Sequence, residues 1–185
     1  MDASIKNTKY KNISISGKLA TGTTTLAKNL AKSLGWKHIN VGDIQREYDR
    51  KHNINENKQG AIARPDNHER EMDDMTKKML SEQENLIYEA WLAGFMAKDI
   101  SGVLKVLLVC SEEAVRVDRV VNRDHLSVDD AKEYIKQRED ENIKKWKTLY
   151  GDYDFWDEKN FDVVVDTYSS GPMETLGRVL DELNK

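Results

Sequence analysis

The chain has 185 residues, of which 38% are hydrophobic and 34% charged, with one cysteine and a formal net charge of −4. This length suits one domain with a substantial core, and the balance of 29 Lys and Arg against 33 Asp and Glu excludes a generally basic nucleic-acid surface. The single cysteine excludes an intrachain disulfide, and no apolar run or N-terminal apolar segment suggests a membrane span or a secretory signal, so we expect a protein of the cytoplasm.

The first predicted elements bracket a glycine loop. Gly17 ends a β-rich run, four residues separate it from Gly22, and a helical pattern follows. This is the strand, G-x-x-x-x-G, helix layout of a phosphate-binding P-loop, in which glycine allows the backbone N–H groups to wrap around an anion. The residue after the second glycine is normally lysine. Here it is Thr23, whereas Lys18 follows the first glycine.

Strand and helix patterns alternate along the rest of the chain. The predicted strands are residues 10–16, 37–41, 85–90, 105–110 and 161–165. The predicted helices are residues 22–34, 42 to about 51, 69–80, 112–123, 127 to about 149, and 172–183, with a polar stretch at 52–67. Alternation of this kind predicts an α/β fold with a five-stranded parallel sheet, which binds ligands beyond the carboxyl ends of its strands.

Three arginines share one face of the helix predicted at residues 112–123. Projected at about 100° per residue, Arg116, Arg119 and Arg123 fall within about 60° of one another. One interpretation is a solvated face on which Glu112 offsets Arg116 at i+4. The other is a bound polyphosphate, which would remove the repulsion between the three charges because guanidinium groups bind phosphate oxygens in forked geometry.

The long helix carries two cations on its apolar side. Lys145 points within about 20° of Arg138, so both lean inward. They either pair with acids in a structural network or reach into the cleft as a lid, and the helix alone leaves both possibilities open. Arg46 leaves the same two possibilities open: it either pairs with an acid or reaches into the cleft, where it would bind an acceptor phosphate. Glu89, at the end of the third strand, is placed to hold magnesium through water.

Taken together, these segments resemble the P-loop nucleoside monophosphate kinases, most closely the cytidylate kinase-like branch with the archaeal type of cytidylate kinase. The similarity lies in ISGKLATGTTTLAKNLAKSLG from residue 15, VGDIQRE from 41, EAWLAGFM from 89, VRVDRVVNRD from 115, RED and LYG in 138–151, and FDVVVDT from 161. It implies one domain with a three-layer P-loop NTPase-type fold, an NMP-binding segment at 41–85 and a lid region at 116–150. It also implies transfer of the ATP γ-phosphoryl group to CMP or dCMP, with Mg²⁺ and a closing lid.

The resemblance also implies roles for individual residues. The ATP-binding residues would be Gly17, Lys18, Leu19, Ala20, Thr21, Gly22, Thr23, Thr24 and Thr25. The magnesium ligands would be Thr24 and, through water, Glu89. The acceptor nucleotide would be bound by Asp43, Arg46, Trp91 and Gly94. The lid or transition-state cations would be Arg119, Arg123 and Arg138, and Asp166 and Thr167 would lead into the loop beside the adenine. We expect a monomer whose partners are small-molecule nucleotides.

Two positions depart from the family pattern. Trp91 stands where the family's EGRLAG has arginine, so the acceptor pocket gains an aromatic plane on which a base could stack. Thr23 stands at the usual lysine position, and we hypothesise that Lys18 supplies the missing charge, as the extra lysine does in deviant Walker motifs. Two alternatives stay open: a nucleotide-binding pseudokinase with a sensing or scaffolding role, and a P-loop kinase of another small metabolite.

The sequence also predicts an aromatic cluster at the end of the long helix. Four aromatic residues follow one another there at short intervals, namely Trp146, Tyr150, Tyr153 and Trp156. Such residues stack on nucleotides in some proteins, but closure of a helix end explains them more simply.

Overall fold

A parallel sheet organises the chain. The computed structural model describes residues 8–55 and 60–185, so the N-terminal residues 1–7 and residues 56–59 of the predicted polar stretch lie outside the description. The strands are β1 (Asn12–Gly17), β2 (Lys37–Asn40), β3 (Leu86–Glu89), β4 (Val103–Val109) and β5 (Val163–Asp166). They pair in the order β2-β3-β1-β4-β5, and every pairing is parallel. The predicted five-stranded parallel sheet is confirmed, with β1 at its centre.

Helices cover both faces of the sheet. They are α1 (Thr23–Leu34), α2 (Val41–Lys51), α3 (Asp66–Glu82), α4 (Ala93–Met96), α5 (Glu113–Asp124), α6 (Val128–Tyr150) and α7 (Pro172–Leu183). The prediction missed α4 because four residues are too few to show helical periodicity. It also began α3 too late, since polar residues after Pro65 were assigned to the preceding loop. None of the described helices combines the length and apolarity that crossing a bilayer requires.

The two faces of β1 bury different side chains. All six of its residues are buried. Ile13 and Ile15 join a core cluster with the apolar faces of α1 and α7, because alternate strand residues point to the same side. A second cluster on the other face is built around Tyr88 from β3, with residues of α3 and α4. Helices on both sides of the sheet therefore give the predicted three-layer arrangement.

Asn12 joins the start of β1 to the elements beside it. Its Nδ2 donates to the carbonyl oxygens of Leu80 at 3.0 Å and Gln83 at 2.6 Å, at the end of α3. Its Oδ1 accepts from the backbone N–H of Leu86 at 2.9 Å, at the start of β3. One buried side chain thus satisfies backbone groups that the helix end would leave without intrahelical partners.

Candidate active site

A cleft of about 1130 Å³ opens where the strands end. Its walls come from the P-loop (residues 17–25), the start of α2, the end of β3, α5, α6 and the loop between β5 and α7. The predicted site residues that line it are Gly17, Lys18, Leu19, Ala20, Gly22, Thr23, Thr24, Thr25, Asp43, Arg46, Glu89, Trp91, Arg119, Arg123 and Arg138. The position agrees with the rule that parallel sheets bind ligands at the carboxyl ends of their strands.

The P-loop requires glycine at both ends for different reasons. A Cβ atom on Gly17 would lie 2.8 Å from the carbonyl oxygen of Leu108. Gly22 has a φ of 97° and caps α1, a left-handed backbone that other residues disfavour. Beneath the loop, the buried Thr21 hydroxyl donates to the carbonyl of Lys18 at 2.9 Å. Helix α1 therefore begins at the cleft, where its dipole and N–H groups favour an anion.

Two arginines of α5 hold the outer side of the P-loop. Arg116 Nε donates to the carbonyl of Leu19 at 2.9 Å, and Arg119 donates to the carbonyl of Ala20 at 3.0 Å. Arg116 also pairs with Glu139 of α6. Two of the three arginines on the predicted face thus bind backbone carbonyls of the P-loop. The sequence did not indicate this role.

The third arginine of that face points past the P-loop. Arg123 forms two hydrogen bonds with Asp124, from Nε to Oδ1 at 2.8 Å and from NH2 to Oδ2 at 2.6 Å, and both residues line the cleft. Hydrogen bonding to this carboxylate raises the pKa of Arg123. Arg116, for which i+4 spacing suggested Glu112 as the partner, pairs instead with Glu139. This ion pair joins α5 to α6 rather than two residues of α5.

Thr167 ties the β5–α7 loop to the P-loop. Its hydroxyl donates to the carbonyl of Thr21 at 2.9 Å, and Arg119 donates to both its hydroxyl and its carbonyl. Beside it, Asp166 accepts from the hydroxyl of Ser111 at 2.6 Å. That hydrogen bond lowers the pKa of Asp166. Both residues lead into a loop that lines the cleft, where the resemblance had placed the adenine.

Glu89 collects the hydroxyl groups at the start of α1. Its Oε1 accepts from Thr23 at 2.9 Å and from Thr24 at 2.5 Å, and its Oε2 lies 2.9 Å from Nε2 of His38. Carboxylate and hydroxyl oxygens are the ligands that Mg²⁺ prefers, so the predicted pair of Thr24 and Glu89 fits this ion. No group of three His, Cys, Asp or Glu within residues 8–55 and 60–185 could hold a metal. The remaining ligands would be water and phosphate oxygens, as is usual for Mg²⁺.

Lys18 lies on the aromatic side of the P-loop. Its Nζ is 5.3 Å from the centroid of the Trp156 ring, within the range of a cation–π interaction. Trp156 in turn donates from Nε1 to the carbonyl of Trp91 at 3.1 Å. The lysine after the first glycine is thus adjacent to the wall that carries Trp91.

An aromatic cluster forms this wall, as predicted for the end of α6. The rings of Trp91 and Trp156 each pack against Trp146, and Phe155 contacts both Trp146 and Trp156 edge to face. The cluster also buries Leu92 and Met96 next to α4. Trp91 therefore has one side in the cleft and the other in a packed cluster.

Asp43 and Arg46 stand at the start of α2. Asp43 Oδ1 accepts from Arg46 NH2 at 2.5 Å, and both side chains are well exposed at the cleft. Asn40 caps the helix by accepting from the backbone N–H of Asp43. Exposure and a short local pair leave the guanidinium able to take an anionic ligand from the cleft.

Thr21 and Gly94 are not among the cleft-lining residues. Gly94 donates its N–H to the hydroxyl of Ser16 at 2.8 Å. A Cβ atom at this position would overlap the Phe161 ring, whose Cζ would be 2.9 Å away. Glycine is required there by close packing, so a direct contact with the acceptor is not what the geometry supports.

The two inward-leaning cations of α6 have separate destinations. Arg138 lines the cleft. Lys145 is 8% exposed, and its Nζ donates to the carbonyl of Arg64 at 2.7 Å and pairs with Asp66. Of the two alternatives left open by the sequence, Lys145 takes the structural network, whereas Arg138 lines the cleft.

That network is centred on a buried arginine. Arg64 donates from Nε to Asp49 at 2.9 Å and from NH1 to Glu69 at 3.0 Å, and all three side chains are at most 5% exposed. Trp146 of α6 donates to the other carboxylate oxygen of Glu69 at 3.3 Å. Burial nevertheless raises the pKa of Glu69. The network joins the C-terminal half of α6 to α2 and α3, which belong to the predicted NMP-binding segment.

A second carboxylate on α3 is bound by the end of α6. The hydroxyl of Tyr150 donates to Asp73 Oδ2. Burial raises the pKa of Asp73 to about 7, against the opposing effect of this hydrogen bond. Burial also raises the pKa of Tyr150, so the phenol keeps its proton. The contact therefore adds a titratable link between the predicted lid region and the predicted acceptor segment.

His38 lines the cleft and Trp156 lies against Lys18, and the sequence assigned neither residue to the site. His38 is a polar residue of a short strand whose carboxyl end lies beside β3, and parallel neighbours of that kind are the available signal. Trp156 follows α6 in a segment without periodicity, so no pattern in the sequence could place its ring against Lys18.

Comparison with known proteins adds independent observations. The model of the cytidylate kinase-like family matches residues 12–169. The cytidylate kinase of Pyrococcus abyssi is 36% identical over 162 residues, covering 86% of each chain. That of Haloarcula marismortui is 30% identical over 169 residues, covering 91% of this chain and 86% of its own.

Solved structures share the architecture at low identity. A gluconokinase from Sinorhizobium meliloti 1021 is similar with a TM-score of 0.61 and 15% identity, covering 96% of this chain and 93% of that one. Shikimate kinase from Acinetobacter baumannii, in complex with shikimate, gives a TM-score of 0.55 and 16% identity, covering 93% and 92%. These similarities concern the fold alone, which is that of P-loop kinases.

Proposed function

This chain belongs to the cytidylate kinase-like family, and from that membership we propose that it transfers the γ-phosphoryl group of ATP to CMP or dCMP. The observation that carries the proposal is a shared cleft. The P-loop forms one side of it, and Asp43, Arg46 and Trp91 stand on its other walls. A donor and an acceptor phosphate could therefore meet without leaving the same cavity.

The P-loop side suits the donor nucleotide. Gly17 and Gly22 permit a tight loop, and the N-terminus of α1 presents N–H groups to phosphate oxygens. Thr24 and Glu89 would hold Mg²⁺, which supplies charge neutralisation when bound. Arg119 keeps the loop in shape by binding the carbonyl of Ala20.

The α2 side suits a nucleoside monophosphate. Arg46 would bind the acceptor phosphate by forked hydrogen bonds, and Trp91 would stack on the base. Phosphoryl transfer asks for little covalent chemistry from the protein, so the contribution of these residues is to position the two phosphates and neutralise their charge. Lys18, Arg123 and Arg138 are the cations we propose for that second task.

A coupled ADP-release assay tests the proposal. The purified chain is given ATP, Mg²⁺ and, one at a time, CMP, dCMP, UMP, AMP, GMP, shikimate or gluconate. We expect release above background with CMP or dCMP and little with the others. Release with shikimate or gluconate alone would assign the chain to small-metabolite kinases, whose fold it shares.

The runner-up is a nucleotide-binding pseudokinase. It is favoured by Thr23, whose neutral hydroxyl is bound to Glu89 at the position that usually carries lysine. Calorimetric titration with ATP, run beside the release assay, separates the two. Measurable ATP binding with no release for any acceptor would contradict the kinase proposal and support the runner-up.

A further inference from the structure

Trp156 contacts both Lys18 of the P-loop and Trp91 of the aromatic cluster. It lies six residues beyond Tyr150, the last residue of α6, in the segment that precedes β5. The Nζ atom of Lys18 is 5.3 Å from its ring centroid. Indole is the aromatic ring on which a cation is held most strongly.

The ring is fixed on several sides. Its Nε1 donates to the carbonyl of Trp91 at 3.1 Å, and its backbone N–H donates to Oδ1 of Asp154 at 3.1 Å. Trp146 and Phe155 both contact it edge to face with centroids 6.2 Å away. The indole plane is therefore a rigid surface rather than a mobile side chain, so it can define the position of a flexible partner.

Lys18 differs in its partner from two other cations of the cleft, Arg46 and Arg123. Arg46 pairs with Asp43, and Arg123 pairs with Asp124. Within residues 8–55 and 60–185, Lys18 forms no ion pair with a carboxylate, and its ammonium instead faces the indole. An ammonium that is held by a neutral ring keeps its full charge available for a phosphate.

We propose that Trp156 is a positioning residue for Lys18, holding its ammonium at the phosphate side of the cleft; this inference rests on the proposed function. A lysine stem of four carbons has many rotamers, and ordering it costs side-chain entropy. The indole reduces that cost before the nucleotide arrives, which strengthens the effect of the charge on bound triphosphate. By positioning Lys18, Trp156 helps to compensate for the absence of a lysine at position 23.

A double-mutant cycle tests this inference. The variants are Lys18→Met, Trp156→Leu, the pair together, and Trp156→Phe. Each is measured for kcat, for KM with ATP and with CMP, and for the affinity of a non-hydrolysable ATP analogue. We expect Trp156→Leu to lower kcat or analogue affinity about threefold to thirtyfold. It should have no further effect in the Lys18→Met background.

Two comparisons separate positioning from structural support. Trp156→Phe keeps a ring face and should recover most of the loss. Tyr153→Leu is the matched control, because Tyr153 belongs to the same segment and packs on Phe95 and Phe155 without contacting Lys18. It should change neither kcat nor analogue affinity. Thermal unfolding of every variant shows whether the fold is intact.

Additive effects of the Lys18 and Trp156 substitutions would overturn the inference, as would equal losses in Trp156→Leu and Tyr153→Leu. If Trp156→Leu unfolds, the cycle is run with Trp156→Met, whose flexible side chain fills apolar space without a ring face, and the loss must again vanish in the Lys18→Met background. A wild-type chain that releases no ADP with any acceptor contradicts the proposed function instead. The analogue affinities then decide the role of Trp156 by themselves.

Discussion

The hydroxyl of Thr23 donates to Oε1 of Glu89 at 2.9 Å. The position that carries a phosphate-binding lysine in most P-loops is therefore occupied by a neutral donor bound to a carboxylate. The same carboxylate oxygen accepts from Thr24 at 2.5 Å. Residue 23 therefore lies within hydrogen-bonding distance of Glu89, which bears on what substitutions there would do.

Restoring the usual lysine should impair the protein. In Thr23→Lys, the new ammonium pairs with Glu89 and competes with Thr24 for it, so we expect kcat to fall on the order of tenfold, which corresponds to about 1.4 kcal/mol. The apparent affinity for Mg²⁺ should fall with it. Magnesium titrations at saturating ATP and CMP measure both, and Thr23→Ser, which keeps the hydroxyl, is the control. A rise in kcat would show that Glu89 leaves the lysine free.

Lys18 should supply the positive, phosphate-binding charge that Thr23 lacks. We expect Lys18→Ala to lower turnover on the order of 10²-fold, the loss seen when a group that stabilises developing charge is removed. Lys32→Ala removes an exposed lysine from the last turn of α1 and serves as the control. Steady-state kinetics and ATP titration provide the measurement. Unchanged ATP affinity and turnover in Lys18→Ala would remove the hypothesis.

Trp91 should determine acceptor affinity. Stacking of a base on an aromatic ring contributes about 1–3 kcal/mol, so Trp91→Leu should raise the KM for CMP roughly fivefold to a hundredfold. The KM for ATP should change far less, because we propose that the donor binds on the P-loop side of the cleft. An equal rise in both constants would point to collapse of the aromatic cluster, in which Trp91 contacts Trp146 and Trp156.

Arg64 should be required for stability. Its guanidinium is 4% exposed and binds Asp49 and Glu69, so Arg64→Met leaves two buried carboxylates without their guanidinium partner, at a cost of about 3–5 kcal/mol. Urea unfolding followed by circular dichroism measures the change. Lys51→Met breaks the exposed pair with Glu47 and should leave the unfolding midpoint where it is. Similar midpoints for the two variants would contradict the buried network.

Asp73 should make stability depend on pH. Burial raises its pKa to about 7, whereas an unfolded aspartate titrates near about 3.9. The folded protein thus binds more protons between about pH 4 and pH 7, and the free energy of unfolding contributed by this group falls as pH rises through that window. Asp73→Asn cannot titrate, so it should gain stability relative to the wild type as the pH rises.

The control for that experiment must avoid the charged groups that act on Asp73. Glu69 and Asp74 raise its pKa and Lys77 lowers it, beside the hydroxyl of Tyr150. Glu82→Gln removes an exposed carboxylate from the end of the same helix, one that is not among the groups acting on Asp73, and should leave the slope of stability against pH unchanged. Urea unfolding of each of the three proteins at about pH 4.5, 6 and 7.5 gives one profile per protein, covering most of the interval between the two pKa values. Parallel profiles for wild type and Asp73→Asn would contradict the assignment.

The parts of the fold that repeat along the chain were predictable, and the contacts between distant side chains were not. Gly17, Gly22 and the alternation of strands and helices are local patterns, so the sheet and the P-loop followed from them. Helix α4 was missed because it is a single turn. The P-loop's support by Arg116 and Arg119 depends on how α5 crosses the loop, which no helical projection contains.

The two cations of α6 illustrate the same limit. A helical wheel placed Arg138 and Lys145 on one side, correctly, but it has no information about what lies opposite each turn. The cleft faces Arg138, and the buried carbonyl of Arg64 faces Lys145. Trp156 was missed for a different reason, since its contact with Lys18 joins segments that are far apart in the chain.

The spacing of Arg138 and Lys145 also constrains how this chain can change length. Seven residues make about two turns, so both side chains keep their directions only while that number is preserved. One added or deleted residue would rotate the remainder of α6 by about 100° and remove Lys145 from its carbonyl. We therefore expect insertions and deletions between these residues to disrupt these contacts, and point substitutions on the solvent side to be tolerated. Within this helix, the register itself is a requirement of the site.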